Sequence, residues 1–255
     1  MLAGIVSNDK NLTWNRVFDI AEEAGHIDGI PLPVLQAIRE FSLENHDLVS
    51  ASQICGCLRA AYLKRHIDYF EKPGKWLPLM MGTFTHWLLE QPPTNGTYQG
   101  LTELALQRTT SEGVVVTGHA DHVDLEHSTL SDYKTTRWLK PANLPYGTHR
   151  AQVNVYRWLL EKNEIGPAYD IEHLQIVYID LTGPARNGDH DGVVIKNIRK
   201  WDEQRIKNFV TDNANILYHA DTDMPPKIER ENQWMCRFCP KGVLDACNEY
   251  ERVDF

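Results

Sequence analysis

The 255-residue sequence predicts an α/β fold, a central sheet flanked by helices, from two observations. Residues 101–108, 113–125 and 129–135 are extended in character, and the second is rich in β-branched residues, which predicts three strands. Residues 147–162 then return to helical spacing, with an apolar stripe that includes Val153, Tyr156 and Leu159. Strands followed by a helix and further strands are typical of the α/β class.

The first part of the chain is predicted to be helical. In residues 1–49, Val17, Ile20 and Ala21 lie at helical spacing, and residues 34–43 repeat the pattern, so we expect an N-terminal helical extension. Residues 50–52 provide a serine cap for a helix over 53–69, which Pro73 and Gly74 end. A second helix is predicted over 79–90.

The remaining elements complete one large domain over residues 50–255. Residues 174–181 form an apolar strand and residues 192–198 its partner. A long helix is predicted over 201–219, and a proline-containing connector over 221–232 leads to the C-terminal cysteines.

Composition restricts the class of protein. No apolar run approaches the roughly 20 residues of a membrane helix, and no basic-then-apolar signal peptide is present, so a cytoplasmic protein without membrane contact is expected. The five cysteines are then expected to be thiols or metal ligands. The formal charge of −9 disfavours tight non-specific binding to nucleic acid but does not exclude an enzyme with locally concentrated basic residues.

One short polar pattern carries potential chemistry. Asp132 and Lys134 lie two residues apart in a predicted strand, so they share one face and Tyr133 points to the other. If Asp121 ends the preceding strand of a hairpin, its carboxylate meets Asp132. Two carboxylates favour Mg²⁺ or Mn²⁺, which serves phosphodiester hydrolysis, while an ordinary surface ion pair is the alternative.

Three further residues add context. His86 offers a nitrogen ligand from the preceding helix, and Gln152 and Tyr156 share one helix face that could point to the site. Taken singly, each is more often a structural residue than a functional one.

Together these residues carry a family resemblance. The ordered motifs GTFTH (82–86), GHAD (118–121), SDYK (131–134) and QVNVY (152–156) resemble those of RecB-like nucleases of the PD-(D/E)XK superfamily. The resemblance implies that His86, Asp121 and Asp132 are metal ligands, with the backbone carbonyl of Tyr133 as an additional one. It also implies that Lys134 is the catalytic lysine.

The same resemblance implies a fold and an activity. The fold would be restriction-endonuclease-like, with a mixed central sheet, and Gln152 and Tyr156 would lie on the helix that supports the site and contacts DNA. The activity would be Mg²⁺- or Mn²⁺-dependent DNA hydrolysis, mainly by an exonuclease on single-stranded ends. Repair or recombination, CRISPR adaptation and phage DNA processing are the settings it suggests. A non-catalytic DNA-binding or assembly subunit with the same fold is the alternative.

The cysteines predict a second metal site. Cys236 and Cys239 lie on one turn and Cys247 follows, so a fourth ligand must come from elsewhere, where Cys55 and Cys57 are available. Four thiolates suit [4Fe–4S] or Zn²⁺. Residues 50–65 resemble the S-x-S-x(4)-C-x-R-x(2)-Y segment of iron–sulfur members, including CRISPR-associated RecB-like exonucleases. That resemblance selects Cys57 and a [4Fe–4S] cluster, which would cross-link the chain ends, with a zinc-stabilised nuclease as the alternative.

Basic residues suggest where DNA would bind. Arg59, Lys64 and Arg65 give the Cys57 helix a positive stretch, and Arg137 with Trp138 combines a cation with an aromatic ring after the Lys134 strand. Solvated surface is an equal alternative for both. The sequence lacks a P-loop motif, so unwinding would require a separate helicase, or a CRISPR or recombination partner.

Overall fold

The computed structural model describes residues 1–42, 48–89, 100–136, 139–185, 190–220, 224–228 and 235–247. Within them the strands are, in chain order, β1 (Leu2–Ser7), β2 (Lys10–Thr13), β3 (His26–Ile27), β4 (Ile30–Pro31), β5 (Val49–Ser50), β6 (Tyr69–Glu71), β7 (Gly100–Thr109), β8 (Val115–Asp124), β9 (Thr129–Thr136), β10 (His173–Asp180) and β11 (Val193–Ile198). The helices are α1 (Trp14–Ala24), α2 (Leu32–Ser42), α3 (Ala51–Cys55), α4 (Leu58–His66), α5 (Leu77–Leu89), α6 (Gly147–Glu161), α7 (Glu203–Tyr218) and α8 (Lys241–Ala246), with 3-10 turns at Pro73–Lys75 and Pro141–Asn143.

The chain divides into two compact units. The central unit comprises Leu48–Gly56 and Gly82–His219. The terminal unit comprises Met1–Asp47, Cys57–Met81 and Ala220–Phe255, so it contains both chain ends.

The central unit is built on a six-stranded mixed sheet of order β11-β10-β9-β8-β5, with β7 also paired to β8. Strands β9 and β10 are parallel, whereas β10–β11, β8–β9 and β7–β8 are antiparallel. The mixed α/β architecture predicted from the sequence is confirmed.

The pairing around β8 creates a fork in this sheet. Strand β7 pairs along the whole of β8 and therefore occupies one of its edges. On the other edge, β9 pairs only with His122–Asp124, and β5 pairs in parallel with Val116 and Thr117. Strand β9 therefore separates from β8 beyond His122, and the side chains at the separation are free to face a common space.

Helix α6 packs against the sheet through the stretch from Val153 to Leu160, in which every residue is buried and all but Asn154 and Arg157 have aliphatic or aromatic side chains. It contacts β7, β8, β9 and β10, as well as α3 and α7. The sheet side chains beneath it include Val116, Leu130 and Ile176, which are completely buried. The core of this unit thus lies between α6 and the strands that carry the GHAD and SDYK motifs.

The secondary structure of the terminal unit differs from the helical extension predicted for residues 1–49, because it includes strands. Strand β1 pairs antiparallel with β2 and in parallel with β6, α1 packs against β1, and α2 packs against α1. The strands were missed because β1 alternates only partly, with a burial pattern set by Leu2, Gly4 and Ile5 rather than by strict period two. The boundary of the extension stays a prediction.

The helix predicted over 53–69 is divided in two. Ser50 caps α3 as expected, in a reciprocal capping box with Gln53. Gly56 is extended rather than helical, so α3 ends there and α4 begins at Leu58. Cys57 is the residue that precedes α4. The boundary between the two units also lies at this interruption, so Cys55 and Cys57 belong to different units.

Within the described segments, no helix combines the length and the apolar character required to cross a membrane.

Candidate active site

The predicted site residues of the two strands meet at the fork between β8 and β9. Asp121 is the first residue of β8 beyond the paired stretch, and Asp132 and Lys134 follow the last paired residue of β9, Ser131. The carboxylate of Asp121 accepts a 2.6 Å hydrogen bond from the backbone N–H of Tyr133. A side-chain oxygen thus binds the N–H that the sheet leaves unpaired at this point, and this bond fixes Asp121 against β9.

Asp132 and Lys134 share one face of β9, as the alternation of a strand predicts. Lys134 Nζ donates to Asp132 Oδ1 at 2.9 Å, and the Asp132 residue is completely buried. Asp132 Oδ2 is also buried and has no hydrogen-bond partner among the described residues. A buried carboxylate oxygen without a donor is costly, and a bound cation would satisfy it.

His86 reaches the site from α5. Gly82, one helical turn earlier, lies close to β9, since a Cβ at that position would be 3.2 Å from Thr135 Oγ1. Glycine therefore permits a close approach of helix and strand. His86 Nδ1 then lies 3.6 Å from Asp121 Oδ1.

Glu103 is a site residue that the sequence did not predict. Its carboxylate is 3.4 Å from His86 Nδ1, and potential ligand atoms of His86, Glu103 and Asp121 all lie within 4.8 Å of one another. In β7, the flanking pairs Thr102–His122 and Leu104–Ala120 set Glu103 opposite Asp121. This set of three differs from the predicted one, because it contains Glu103 and not Asp132.

The backbone at Glu103 is strained. Its φ is +46°, in the left-handed region, although it is a non-glycine residue within a strand. Such a conformation costs of order 1–3 kcal/mol, and outside turns residues strained in this way cluster at functional sites. A local irregularity of this kind redirects a side chain relative to its neighbours, and here the redirected carboxylate meets His86.

The electrostatics of the site reflect crowded acids. Burial, and then the nearby Asp132, raise the pKa of Asp121 to about 7. Burial also raises the pKa of Asp132, although Lys134 opposes the shift. Burial alone would lower the pKa of Lys134, but Asp132 and Asp121 outweigh it and raise that pKa, so the lysine is a cation at neutral pH.

These residues fit a small divalent cation. Carboxylate oxygens with one imidazole nitrogen are suitable ligands for Mg²⁺ or Mn²⁺. A divalent cation would also offset the repulsion that raises the pKa of Asp121 and would bind the unpartnered oxygen of Asp132. The donor set therefore fits a divalent metal ion.

Gln152 and Tyr156 lie beside the site on α6 and are hydrogen-bonded to each other at 2.7 Å. Tyr156 is buried, and its pKa is raised well above the usual range by burial, then by Asp132 and Asp121. Its ring lies directly over Gly118, where a Cβ would be 2.8 Å from Tyr156 Cε1. The buried tyrosine has the contacts of a residue that supports the strand of Asp121.

The four predicted cluster cysteines all belong to the terminal unit. The N–H of Cys239 donates to the carbonyl of Cys236 at 3.0 Å, so these two lie on one turn. Burial, followed by the nearby Cys57 and Cys247, raises the pKa of Cys236. Burial raises the pKa of Cys239 to about 11, with Cys57, Cys236 and Cys247 adding to the shift. The four thiols thus lie near one another, although no three of their sulfur atoms are among the described groups whose ligand atoms lie within 4.8 Å of one another.

Cys55 has different surroundings. It is buried in the central unit, and burial, then the charge of Asp132, raise its pKa. These contacts set it apart from the thiols of the terminal unit.

The residues predicted to bind nucleic acid lie in different surroundings. Arg59 Nε donates to the carbonyl of Pro225 at 2.7 Å, which joins α4 to the segment preceding the C-terminal cysteines. Lys64, on the same helix, lowers the pKa of Cys239, and Arg65 follows it near the end of α4. Arg137 and Trp138 lie outside the described residues.

A comparison with family models decides the classification. The model of the PD-(D/E)XK nuclease superfamily matches residues 49–247. The chain belongs to the PD-(D/E)XK nuclease superfamily. Membership identifies a nuclease, a hydrolase acting on nucleic acid, in a superfamily that uses divalent metal ions. The fork of β8 and β9 carries an Asp and an Asp-x-Lys sequence, and the same residue types occur in the name of the superfamily.

Two solved structures match the chain, and the first of them is similar in fold. The crystal structure of SSO0001 is 18% identical with a TM-score of 0.54, and the match covers 84% of this chain and 92% of that one. A phage-related exonuclease from Haemophilus somnus 129PT is 16% identical with a TM-score of 0.34, over 83% of this chain and 93% of that one. No curated protein has a significant sequence match to this chain.

Proposed function

We propose that the protein is a Mg²⁺- or Mn²⁺-dependent DNA exonuclease of the RecB-like type that acts on single-stranded ends. The observation that carries the proposal is the fork between β8 and β9, where Asp121, Asp132 and Lys134 meet next to His86. Membership of the superfamily supports hydrolysis of nucleic acid as the reaction.

In this proposal, the metal ligands are His86, Asp121, Asp132 and the carbonyl of Tyr133, as the family resemblance implied. Glu103 is added to them because its carboxylate contacts His86. Whether it binds the ion directly or orients the imidazole, it adds negative charge to the site. A divalent ion held here would polarise the scissile phosphate and lower the pKa of a bound water.

The residues of the chain divide the remaining tasks. Lys134 is a protonated donor held by Asp132, which suits it to stabilise negative charge on the reacting phosphate rather than to remove a proton from water. The N–H of Tyr133 orients Asp121. Tyr156 packs over Gly118 and is oriented by a hydrogen bond from Gln152, so α6 stays in position behind the site.

The principal test is digestion of end-labelled single- and double-stranded DNA with Mn²⁺, by the parent protein and by Asp132→Ala. Asp212→Ala is the matched control, since Asp212 is an exposed residue of α7 outside the site. We expect cleavage by the parent and the control and none by Asp132→Ala. If the parent protein cleaves none of the DNA substrates, the proposal that it is an enzyme is refuted. The alternative, a non-catalytic DNA-binding subunit, would then remain.

The exonuclease mode is tested separately with a covalently closed single-stranded circle. An exonuclease leaves the circle intact and degrades the same strand once it is linearised. Cleavage of the circle at a similar rate would show an endonuclease.

The role of Glu103 is tested by Mn²⁺ binding as well as by activity. We expect Glu103→Gln to weaken Mn²⁺ about 10- to 100-fold in calorimetric titration, the range found when outer partners of metal ligands are removed. Unchanged Mn²⁺ affinity would remove Glu103 from the metal centre and leave the remaining ligands unaffected.

We further propose a [4Fe–4S] cluster on Cys57, Cys236, Cys239 and Cys247, with Zn²⁺ as the alternative occupant. The mutual effects of these thiols on their pKa values support a shared site, because a metal centre stabilises thiolates that otherwise repel one another. Anaerobically purified protein should be brown and contain iron and sulfide. A colourless protein with one zinc per chain would establish the alternative.

The biological setting is also part of the proposal. A cytoplasmic enzyme that degrades strand ends would depend on a helicase, or on a CRISPR or recombination protein, to expose them. Co-purification of such a partner with an epitope-tagged chain would support this setting, and full activity on blunt duplex DNA without a partner would contradict it.

A further inference from the structure

A cavity of about 730 Å³ lies on the side of α6 that faces away from the catalytic residues. Residues spaced by four and three along a helix share a face, so Arg150 and Arg157 lie on one side of α6. Gln152 and Tyr156 lie on another, about half a turn away. The cavity is lined by the first pair, by the segment following β11 and by the start of α7.

The lining is strongly basic. It contains five cationic side chains, which are Arg150, Arg157, Arg199, Lys200 and Arg205, against the two acids Asp202 and Glu203. Asp202 is engaged as the N-cap of α7, since its carboxylate accepts from the backbone N–H of Arg205 at 2.8 Å. The formal charge of the whole chain is −9, so this local excess of positive charge runs against its composition.

Two of these cations are available to a ligand. Arg150 and Arg199 are exposed, and no carboxylate of the described residues lies within ion-pair distance of either guanidinium. Arg157 differs, because it is buried and pairs with Glu161 at 3.4 Å. Its Nε is nevertheless buried without a hydrogen-bond partner among the described residues.

The wall of the cavity is fixed to α6 by hydrogen bonds. Arg157 Nη2 donates to the carbonyl of Trp201 at 2.9 Å, and the N–H of Trp201 donates to Asn154 Oδ1 at 2.8 Å. Asn154 Nδ2 in turn donates to the carbonyls of Arg150 and Arg199. The segment that carries Arg199 and Trp201 is thus held in place before any ligand binds, which lowers the entropic cost of binding.

The chemistry of this cavity fits a nucleotide. Guanidinium groups bind phosphate oxygens in a bidentate manner, and the volume lies within the range of about 300–1,000 Å³ for small-ligand sites. Arg205 stacks on Trp201, with its Cζ 4.2 Å from the ring centroid. A cation paired with an aromatic ring is a combination that proteins use to hold a base of a single strand.

We propose that this cavity is a second nucleic-acid site, which binds a phosphate group of the strand whose cleavage is proposed above. This second site rests on the proposed function only for the identity of the strand, since phosphate binding itself requires no cleavage. A free nucleotide offers the same phosphate chemistry and is distinguished by the experiment.

The test uses the double variant Arg150→Ala/Arg199→Ala, which changes two exposed side chains. Binding of a labelled single-stranded oligonucleotide is measured by anisotropy in the Asp132→Ala background, so that no cleavage interferes. Loss of two charged phosphate contacts should weaken binding by about tenfold or more and flatten the salt dependence by about 1.4 units of slope. The matched control is Lys162→Ala/Lys207→Ala, which removes two exposed cations from α6's end and α7 outside the cavity.

Titration with adenosine monophosphate separates the two sources of phosphate. Weaker oligonucleotide binding by the double variant, with the control unchanged, supports the strand. Loss of only the mononucleotide binding supports a free nucleotide as the ligand of the same phosphate site. Parental affinity for both probes would overturn the proposal. A parent that binds through this cavity but cleaves no DNA would refute the nuclease proposal alone.

Discussion

Gly118 is the position at which a single methyl group should disturb both the core and the catalytic site. A Cβ built there would be 2.8 Å from Tyr156 Cε1 and 3.1 Å from Leu159 Cδ1. Ordinary contacts begin at about 3.4 Å, so the tyrosine ring must move by about 0.6 Å. Both neighbours belong to α6, the helix over the sheet, and both are buried in a close-packed interior.

Overpacking of this kind costs about 1–3 kcal/mol of unfolding free energy. For a chain of this size we expect Gly118→Ala to lower Tm by about 2–12 °C in calorimetry. Because Tyr156 lies close enough to Asp132 and Asp121 for their charges to affect its pKa, a displaced α6 should also slow DNA cleavage by about 10- to 100-fold.

A double-mutant cycle tests the cause. In a Tyr156→Ala background the ring is absent, so the additional cost of Gly118→Ala should fall clearly below its cost in the parent. Gly74→Ala is the matched control, since no atom of the described residues other than its chain neighbours lies within 4 Å of the added Cβ, and it should change stability by less than about 0.5 kcal/mol. Equal costs of Gly118→Ala with and without the tyrosine ring would refute the reasoning.

Three further predictions follow from the charges and thiols. Lys134→Met should slow single-turnover cleavage by about 100-fold or more while Mn²⁺ affinity measured by calorimetry is kept or increased, because a neighbouring cation is removed; loss of Mn²⁺ binding would contradict this. Cys57→Ser should remove the bound metal measured by elemental analysis and reduce stability, whereas Cys55→Ser should retain the metal. The reverse result would show that Cys55, and not Cys57, is the metal ligand. Burial, and then Lys134, lower the pKa of His149 to about 4, below its unfolded value of about 6.5. The contribution of the neutral imidazole to folding stability is therefore complete above pH 6.5 and is lost as pH falls towards 4. Urea unfolding should therefore show a loss of up to about 3 kcal/mol in the free energy of unfolding over that pH range, and His149→Phe should reduce this loss. An unchanged pH dependence in the variant would exclude His149 as its cause.

The strands of the central sheet were predictable because each has a simple pattern. The expected strands at 101–108, 113–125 and 129–135 correspond to β7, β8 and β9, within a few residues at each end. The helix at 147–162 corresponds to α6. Alternation also placed Asp132 and Lys134 on one face, and the 2.9 Å ion pair between them agrees with that geometry.

Glu103 escaped prediction for a physical reason. It is an acidic residue in an otherwise alternating strand, and such residues are usually solvated. What brings it to His86 is its positive φ and its register opposite Asp121, and neither is visible in the sequence. The only signal was the carboxylate itself, between Thr102 and Leu104.

The basic cavity was missed because its residues are far apart in the chain. Arg199, Lys200 and Trp201 form a basic-aromatic cluster in sequence, comparable to the one at Arg137 and Trp138 that was singled out. Arg150 and Arg157 join them only because Asn154 and Arg157 bind the 199–201 segment to α6. Tertiary contacts of this kind have no signature in local sequence.

The strands of the terminal unit illustrate a different limit. Strand β6 is only three residues long, and it is defined by its parallel pairing with β1, more than sixty residues earlier in the chain. Short strands that depend on distant partners have little local pattern. The division of the predicted 53–69 helix at Gly56 had a visible signal, since glycine is a weak helix former.

Anomalous diffraction from a crystal soaked in MnCl₂ tests the central claim most directly. The account predicts a manganese peak at the β8–β9 fork, with carboxylate oxygens of Asp121 and Asp132 at about 2.1 Å and with His86 and the backbone carbonyl of Tyr133 as further protein ligands next to Glu103. The peak should be absent in crystals of Asp132→Ala. A manganese ion bound elsewhere in a protein that cleaves DNA, or an unchanged peak in the variant, would contradict the account.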